Sequence, residues 1–236
     1  MNQIKNTLAW FLAGDHWVGS QGLLARTWEH IWYSGLALVF AMVIAVPIGI
    51  FIGHTGKGKT FAVSISGAMR ALPSLGLLTL LAVAMGLRLR LAVIPSTIVL
   101  ALLAIPSILA ATYSGIETVD DTVVDGARAT GLSEGQIITR VEVPLALPMM
   151  FGGLRAALLQ IIATATISAY LGLGGLGRFI LDGLAVSDYP RMLGGAIAVG
   201  VLALVVDWSI QFVQWRWLPS GVRVAVGEVE RTRRPS

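Results

Sequence analysis

Residues Tyr33 to Gly53 read YSGLALVFAMVIAVPIGIFIG, and not one of them is charged. A helix needs about 20 mostly apolar residues to cross a hydrocarbon core roughly 30 Å thick. This stretch meets that length. Working outward, four further runs do the same: Phe61–Leu87, Leu91–Ile116, Pro148–Leu171 and Met192–Trp215. The third run is uncharged as well, and the second, fourth and fifth carry one charge each, Arg70, Arg155 and Asp207. Backbone groups inside lipid must find partners within a helix or a closed barrel. Barrel strands would be short and alternating, whereas these runs are continuous. The expected fold is therefore all-α integral membrane, with about five transmembrane helices.

Composition agrees. The 236 residues are 56% hydrophobic and 13% charged, against about 25% charged in soluble domains. Mean hydropathy is +0.79. Cysteine is absent, which excludes disulfides, thiolate metal sites and cysteine nucleophiles. His16, His30 and His54 lie far apart without ligand spacing, so no metal is expected. The formal charge is +4. Its basic residues lie between the apolar runs and in the tail, a pattern of charged membrane loops rather than of a nucleic-acid face. The first residues lack the pattern of a cleavable signal, and Ile4–Leu12 reads as interfacial.

Lysine and arginine set the orientation. With five spans and the C-terminus inside, the inner segments hold Lys57, Lys59, Arg128, Arg140, Arg216, Arg223, Arg231, Arg233 and Arg234. The outer segments hold Lys5, Arg26, Arg88, Arg90, Arg178 and Arg191. The bias predicts the N-terminus outside and the C-terminus cytoplasmic. Residues 1–26 then form an extracytoplasmic or interfacial segment, 27–215 the membrane domain, and 216–236 a basic cytoplasmic tail. Trp28, Trp32 and Tyr33 at one end and Trp215 and Trp217 at the other fit interfacial belts.

The polar linker 117–147 predicts two short helices. The first starts near Thr118–Asp121, which are good N-caps, and stops at Gly131. The second starts at Ser133, where Gln136 gives capping-box spacing. Pro144 is expected to end it, and Pro148 to open the fourth span.

This linker resembles the cytoplasmic loop of type I ABC importer permeases, E-A-A-x3-G-x9-I-x-L-P. Here Asp125-Gly126-Ala127 is followed by three residues, Gly131, nine residues, and Val141-Glu142-Val143-Pro144. Spacing is kept, with Asp for Glu, Gly for the first Ala, and Val for Ile and Leu. Ala71-Leu72-Pro73-Ser74-Leu75-Gly76-Leu77-Leu78, Thr112-Tyr113-Ser114-Gly115-Ile116 and Leu171-Gly172-Leu173-Gly174-Gly175-Leu176-Gly177 resemble one branch, the osmoprotectant or quaternary-amine permeases, and its actinobacterial members most. The resemblance covers about Thr27 to Trp208. It implies the type I permease fold in a bacterial plasma membrane. It also implies import of glycine betaine, carnitine, choline or proline betaine, with another small solute such as an amino acid as the alternative. The implied partners are a second permease, two ABC ATPase subunits, an extracytoplasmic substrate-binding protein and the bilayer. This chain would bind no cofactor, and the ATPase would use ATP and Mg. Asp125, Gly126, Ala127, Arg128, Gly131, Leu132 and Pro144 would form the ATPase-coupling loop.

Three other features carry competing readings. Gly53-His54-Thr55-Gly56-Lys57-Gly58-Lys59-Thr60 matches the P-loop pattern G-x4-G-K-[ST]. That motif works after a buried strand and before a helix. Here it follows a spanning helix, so a basic loop at an anionic lipid surface is the plainer account. Gly172, Gly174, Gly175 and Gly177 read as a flexible exit from span four or as a gate. Arg70, Arg155 and Asp207 lie within spans, where lipid exposure costs at least about 2.5 kcal/mol. They read as an intramembrane ion pair. Alternatively, Arg70 beside Pro73 lines a pathway at a broken span. The spans hold Phe40, Phe51, Phe151, Tyr170 and Phe212, and no aromatic cage stands out. No catalytic constellation of an embedded enzyme is present either.

Overall fold

The computed structural model describes residues 2–86 and 92–217. Arg88 and Arg90 of the charge count lie outside them, as does the tail with Arg223, Arg231, Arg233 and Arg234. The described residues are helical throughout, joined by short turns. In chain order the helices are α1 (Asn2–Leu12), α2 (Leu23–Thr55), α3 (Lys59–Ala71), α4 (Ser74–Ala84), α5 (Val93–Glu117), α6 (Asp121–Ala129), α7 (Glu134–Ile137), α8 (Val143–Ala165), α9 (Gly177–Ala185) and α10 (Tyr189–Trp217).

Small residues make the centre. On α2, Ser34, Ala37, Ala41, Ala45 and Gly49 are buried along one face. They meet Leu100, Ala104, Ile108 and Leu109 of α5. A Cβ on Gly49 would stand 2.6 Å from the Thr112 Cβ, and one on Gly53 would stand 2.5 Å from the Ile116 Cβ. The backbones therefore approach closely, which in lipid is how dispersion and packing hold helices together. These contacts advance together along both chains, so α2 and α5 run parallel. The chain must return between them.

The return is the bent pair α3 and α4, which meet at 88°. The cause is local. Pro73 has no N–H to donate, and it forces Leu72 into the extended region, φ −70° and ψ 130°. Leu78 of α4 then packs on Val99 and Leu103 of α5. Among the described residues, four helices, or five crossings when the bent pair counts as one, are long and apolar enough to span a membrane.

On α8, Gly115 of α5 meets Ala146 and Met149, while Gly153 meets Ala111 and Ser107, so α8 runs antiparallel to α5. Arg155 meets Asp207 and Ile162 clusters with Leu202, so α10 runs antiparallel to α8. The five crossings thus alternate. Outward faces are apolar: Phe40, Val43, Ile48 and Phe51 on α2, and Val201, Leu204, Val205 and Phe212 on α10, are exposed. A face of that extent suits hydrocarbon rather than water.

Three elements differ from the expectation. The helix holding the first apolar run begins at Leu23, because the polar residues before Tyr33 continue the same helical turn. Pro144 does not end a helix. Ile138–Glu142 form a π turn, the Val143 N–H reaches the Ile138 carbonyl, and Pro144 falls in the first turn of α8, where its missing donor costs little. The loop helix α7 is therefore one turn that runs on into the fourth span. Finally, α9 starts at Gly177, the last residue of the segment read as a glycine-rich exit, and follows directly on it. Its Arg178 and Asp182 pair one turn apart at 2.8 Å, and Phe179 is buried against α10 and α1.

Candidate functional site

The linker between α5 and α8 is built by caps rather than by a core. Asp120 caps α6, its carboxylate accepting from the Thr122 N–H at 2.8 Å and the Thr122 hydroxyl at 2.7 Å. The Thr122 hydroxyl, then the backbone N–H, hold this carboxyl below its usual range. At the other end, Gly131 sits at φ +86°. Its N–H bonds the Arg128 carbonyl, and Leu132 N–H reaches the Ala127 carbonyl at 3.4 Å. That is the Schellman arrangement, which wants glycine at this position. The Ser133 N–H then donates to Gln136 Oε1 at 2.9 Å, opening α7.

No residue of α6 is buried. A Cβ at Gly126 or Gly131 would meet nothing within 4 Å. Asp125, Gly126, Arg128 and Gly131 are exposed, while Ala127, Leu132 and Pro144 are half-buried. The short helix thus stands out as a free surface. Arg128 organises it, with Nε and Nη2 donating to Glu134 at 2.8 and 3.0 Å and Nη1 to Asp125 at 2.7 Å. Glu134, then Asp125, hold the guanidinium above its ordinary range.

Beneath α6 lies a cleft of about 260 Å³ lined by His54, Glu117, Asp121, Asp125, Arg128 and Glu142. His54, in the last turn of α2, places Nδ1 2.8 Å from Glu142 and Nε2 3.4 Å from Glu134. Sequence reasoning passed over it, because its partners are 80 and 88 residues away. The same region contains the P-loop match, but not its geometry. A helix, α2, precedes it, and Lys59 donates to Glu117 at 2.7 Å above the Tyr113 ring.

At the other end of α2 the glycine run is tied down. Gly175 N–H donates to Glu29 at 2.8 Å. His30 accepts from Leu176 N–H on Nδ1 at 3.3 Å and faces the Ile162 carbonyl with Nε2 at 2.9 Å. Those two partners place the ring proton on Nε2. Gly172 and Gly175 have positive φ, Gly174 leaves no room for a Cβ beside Glu29, and Gly177 none beside the Thr166 backbone. Glu29 and His30 are a second pair of residues that local spacing did not reveal. Within the spans, Arg155 donates to Asp207 twice, at 2.8 and 2.9 Å, and Gln211 joins at 2.7 Å. Arg70 takes no part. It is exposed beside the Pro73 break, without an ion-pair partner among the described residues.

Known proteins agree on what this arrangement belongs to. Residues 45–218 match the family described as binding-protein-dependent transport system inner membrane component. The carnitine transport permease protein OpuCB of Listeria monocytogenes is 33% identical over 86% of this chain and 91% of its own length. The choline transport system permease protein OpuBB of Bacillus subtilis is 30% identical over 85% and 91%. The osmoprotectant import permease protein OsmW of Salmonella typhimurium is 31% identical over 85% and 94%. Among solved structures, an inward-facing form of the MetNI methionine ABC transporter superposes with a TM-score of 0.66 at 22% identity, covering 86% of this chain and 95% of that one. That likeness concerns the fold. The chain belongs to the binding-protein-dependent transport system inner membrane components, multi-pass proteins of the bacterial plasma membrane with the type I ABC importer permease fold.

Proposed function

We propose that this chain is the membrane-spanning subunit of an ATP-driven importer of osmoprotectants of the quaternary-amine class, such as glycine betaine, carnitine, choline or proline betaine. Relatives whose names carry carnitine, choline and osmoprotectants support the substrate class. The observation that carries the mechanism is α6, a capped helix with no buried residue, positioned between two spans. A helix of that kind acts as a lever. A partner gripping it tilts the attached spans α5 and α8.

In this reading the linker 117–147 faces the cytoplasm, the N-terminus lies outside and the C-terminus inside. The membrane domain is 27–215, with 1–26 outside and 216–236 as the tail. The full assembly contains a second permease, two ATPase subunits and an extracytoplasmic binding protein. ATP and Mg are used by the ATPase, and this chain performs no chemistry on them. Asp125, Gly126, Ala127, Arg128, Gly131 and Leu132 face the ATPase, and Pro144 ends the loop. Arg70 and Pro73 at the broken span line the pathway, and Gly172, Gly174, Gly175 and Gly177 shape its outer end.

Uptake of labelled glycine betaine, choline, carnitine and proline by cells carrying the complete transporter tests the substrate class. Accumulation of one or more quaternary amines that stops when ATP is depleted is the expected result. Uptake of none of these four solutes, with accumulation of some other amino acid, would overturn the substrate class.

A further inference from the structure

We propose that His54 is the positioning residue that transmits movement of α6 to α2. The inference rests on the reading of 117–147 as the ATPase-coupling loop and extends it to a third span. By covalent connection α6 reaches only α5 and α8. None of its residues is buried. A continuous polar chain nevertheless links it to α2: Asp125 to Arg128 at 2.7 Å, Arg128 to Glu134 at 2.8 Å, Glu134 to His54 at 3.4 Å, and His54 to Glu142 at 2.8 Å.

The chain becomes more protected as it leaves α6. The Asp125 side chain is 73% exposed, Arg128 47% and Glu134 54%, whereas His54 is 14% and Glu142 6% exposed. It therefore starts on the free surface and ends in the bundle. Its last member, Glu142, closes the π turn that feeds α8. His54 sits where three elements meet: the end of α2, the turn of α7 and the base of α8. Both ring nitrogens face carboxylates.

The consequence is mechanical. When α6 moves, Arg128 carries Glu134 with it, and Glu134 displaces the imidazole held by Glu142. The first span moves with the fourth instead of lagging behind it. Contiguous networks of this kind carry coupling between distant sites.

The test uses the complete transporter in proteoliposomes, with uptake and ATP hydrolysis measured together. His54→Ala should keep assembly and hydrolysis within about twofold, while solute moved per ATP falls about tenfold, inside the range for substitutions along a coupling network. His54→Gln, which keeps a donor amide, should recover a substantial part of the ratio. Glu134→Ala removes the acceptor and breaks the same chain at an exposed position, and should lower the ratio similarly. If Gly131→Val uncouples while His54→Ala and Glu134→Ala keep the wild-type ratio, the assignment of His54 is wrong. If His54→Gln is as impaired as His54→Ala, the residue acts through packing and the proposal also fails. Normal coupling in all three variants would overturn the loop reading itself.

Discussion

The first span carries a histidine near each end, and the two are held in opposite ways. His30 is 1% exposed and bonded to two backbone groups, Leu176 N–H and the Ile162 carbonyl. His54 faces two carboxylates on a partly open surface. Backbone partners of a buried ring have no alternative arrangement, so the N-terminal end of α2 is latched to the glycine loop. Carboxylates on flexible side chains can follow a moving helix, so the C-terminal end is tied but adjustable. A permease that converts movement at one face into access at the other needs both kinds of joint.

The largest effect should come from breaking the latch. His30→Ala removes a buried ring and orphans a donor and an acceptor, at a cost of about 3 kcal/mol. Thermal unfolding of the detergent-solubilised chain should show a clearly lower Tm, whereas His54→Ala should shift it little. Equal shifts would erase the distinction between the two ends.

Next comes the loop. Gly131→Val forces a β-branched residue into positive φ, costing about 1–2 kcal/mol in α6 termination. Uptake should fall at least tenfold with the chain still inserted, and normal uptake would count against the coupling role.

A smaller effect concerns the Asp120 cap. Its carboxyl is held below the usual range, so its folded pKa lies under the unfolded one. Stabilisation by the ionised cap is present at neutral pH and is lost as pH falls through the folded value. Protection of the Thr122 amide, its exchange rate relative to the intrinsic rate at each pH, should fall only in acid, and Asp120→Ala should lower that protection at neutral pH as well. Exchange that ignores both changes would remove the cap from the account.

The smallest concerns Lys59, whose pair with Glu117 is surface-exposed. Surface pairs contribute little. Lys59→Ala should leave uptake within about twofold, and tight ATP binding by the isolated chain that disappears with Lys59 would revive the P-loop reading.

The contrast between the two ends also marks what sequence could convey. The apolar runs were legible because a charge-free stretch such as Tyr33–Gly53 has one physical reading. The α3–α4 break was legible because Pro73 acts on its immediate neighbours. The 125–144 spacing is similarly local. Pro144 misled, since a π turn upstream absorbed the missing donor. The α9 helix was hidden among glycines whose packing is tertiary. Glu29, His30 and His54 were invisible for a plainer reason: the partners that tie them across the bundle lie 80 to 146 residues away, and no local period records such a meeting.

The central claim is that α6 is a cytoplasmic surface gripped by an ATPase subunit. The chain has no cysteine, so Ala127→Cys supplies a unique thiol. Its labelling by a membrane-impermeant maleimide in oriented vesicles is the most direct measurement. The account predicts labelling in inside-out vesicles only, and protection when the ATPase subunits are present. Labelling from the outer face, or labelling that the ATPase leaves unchanged, would contradict it.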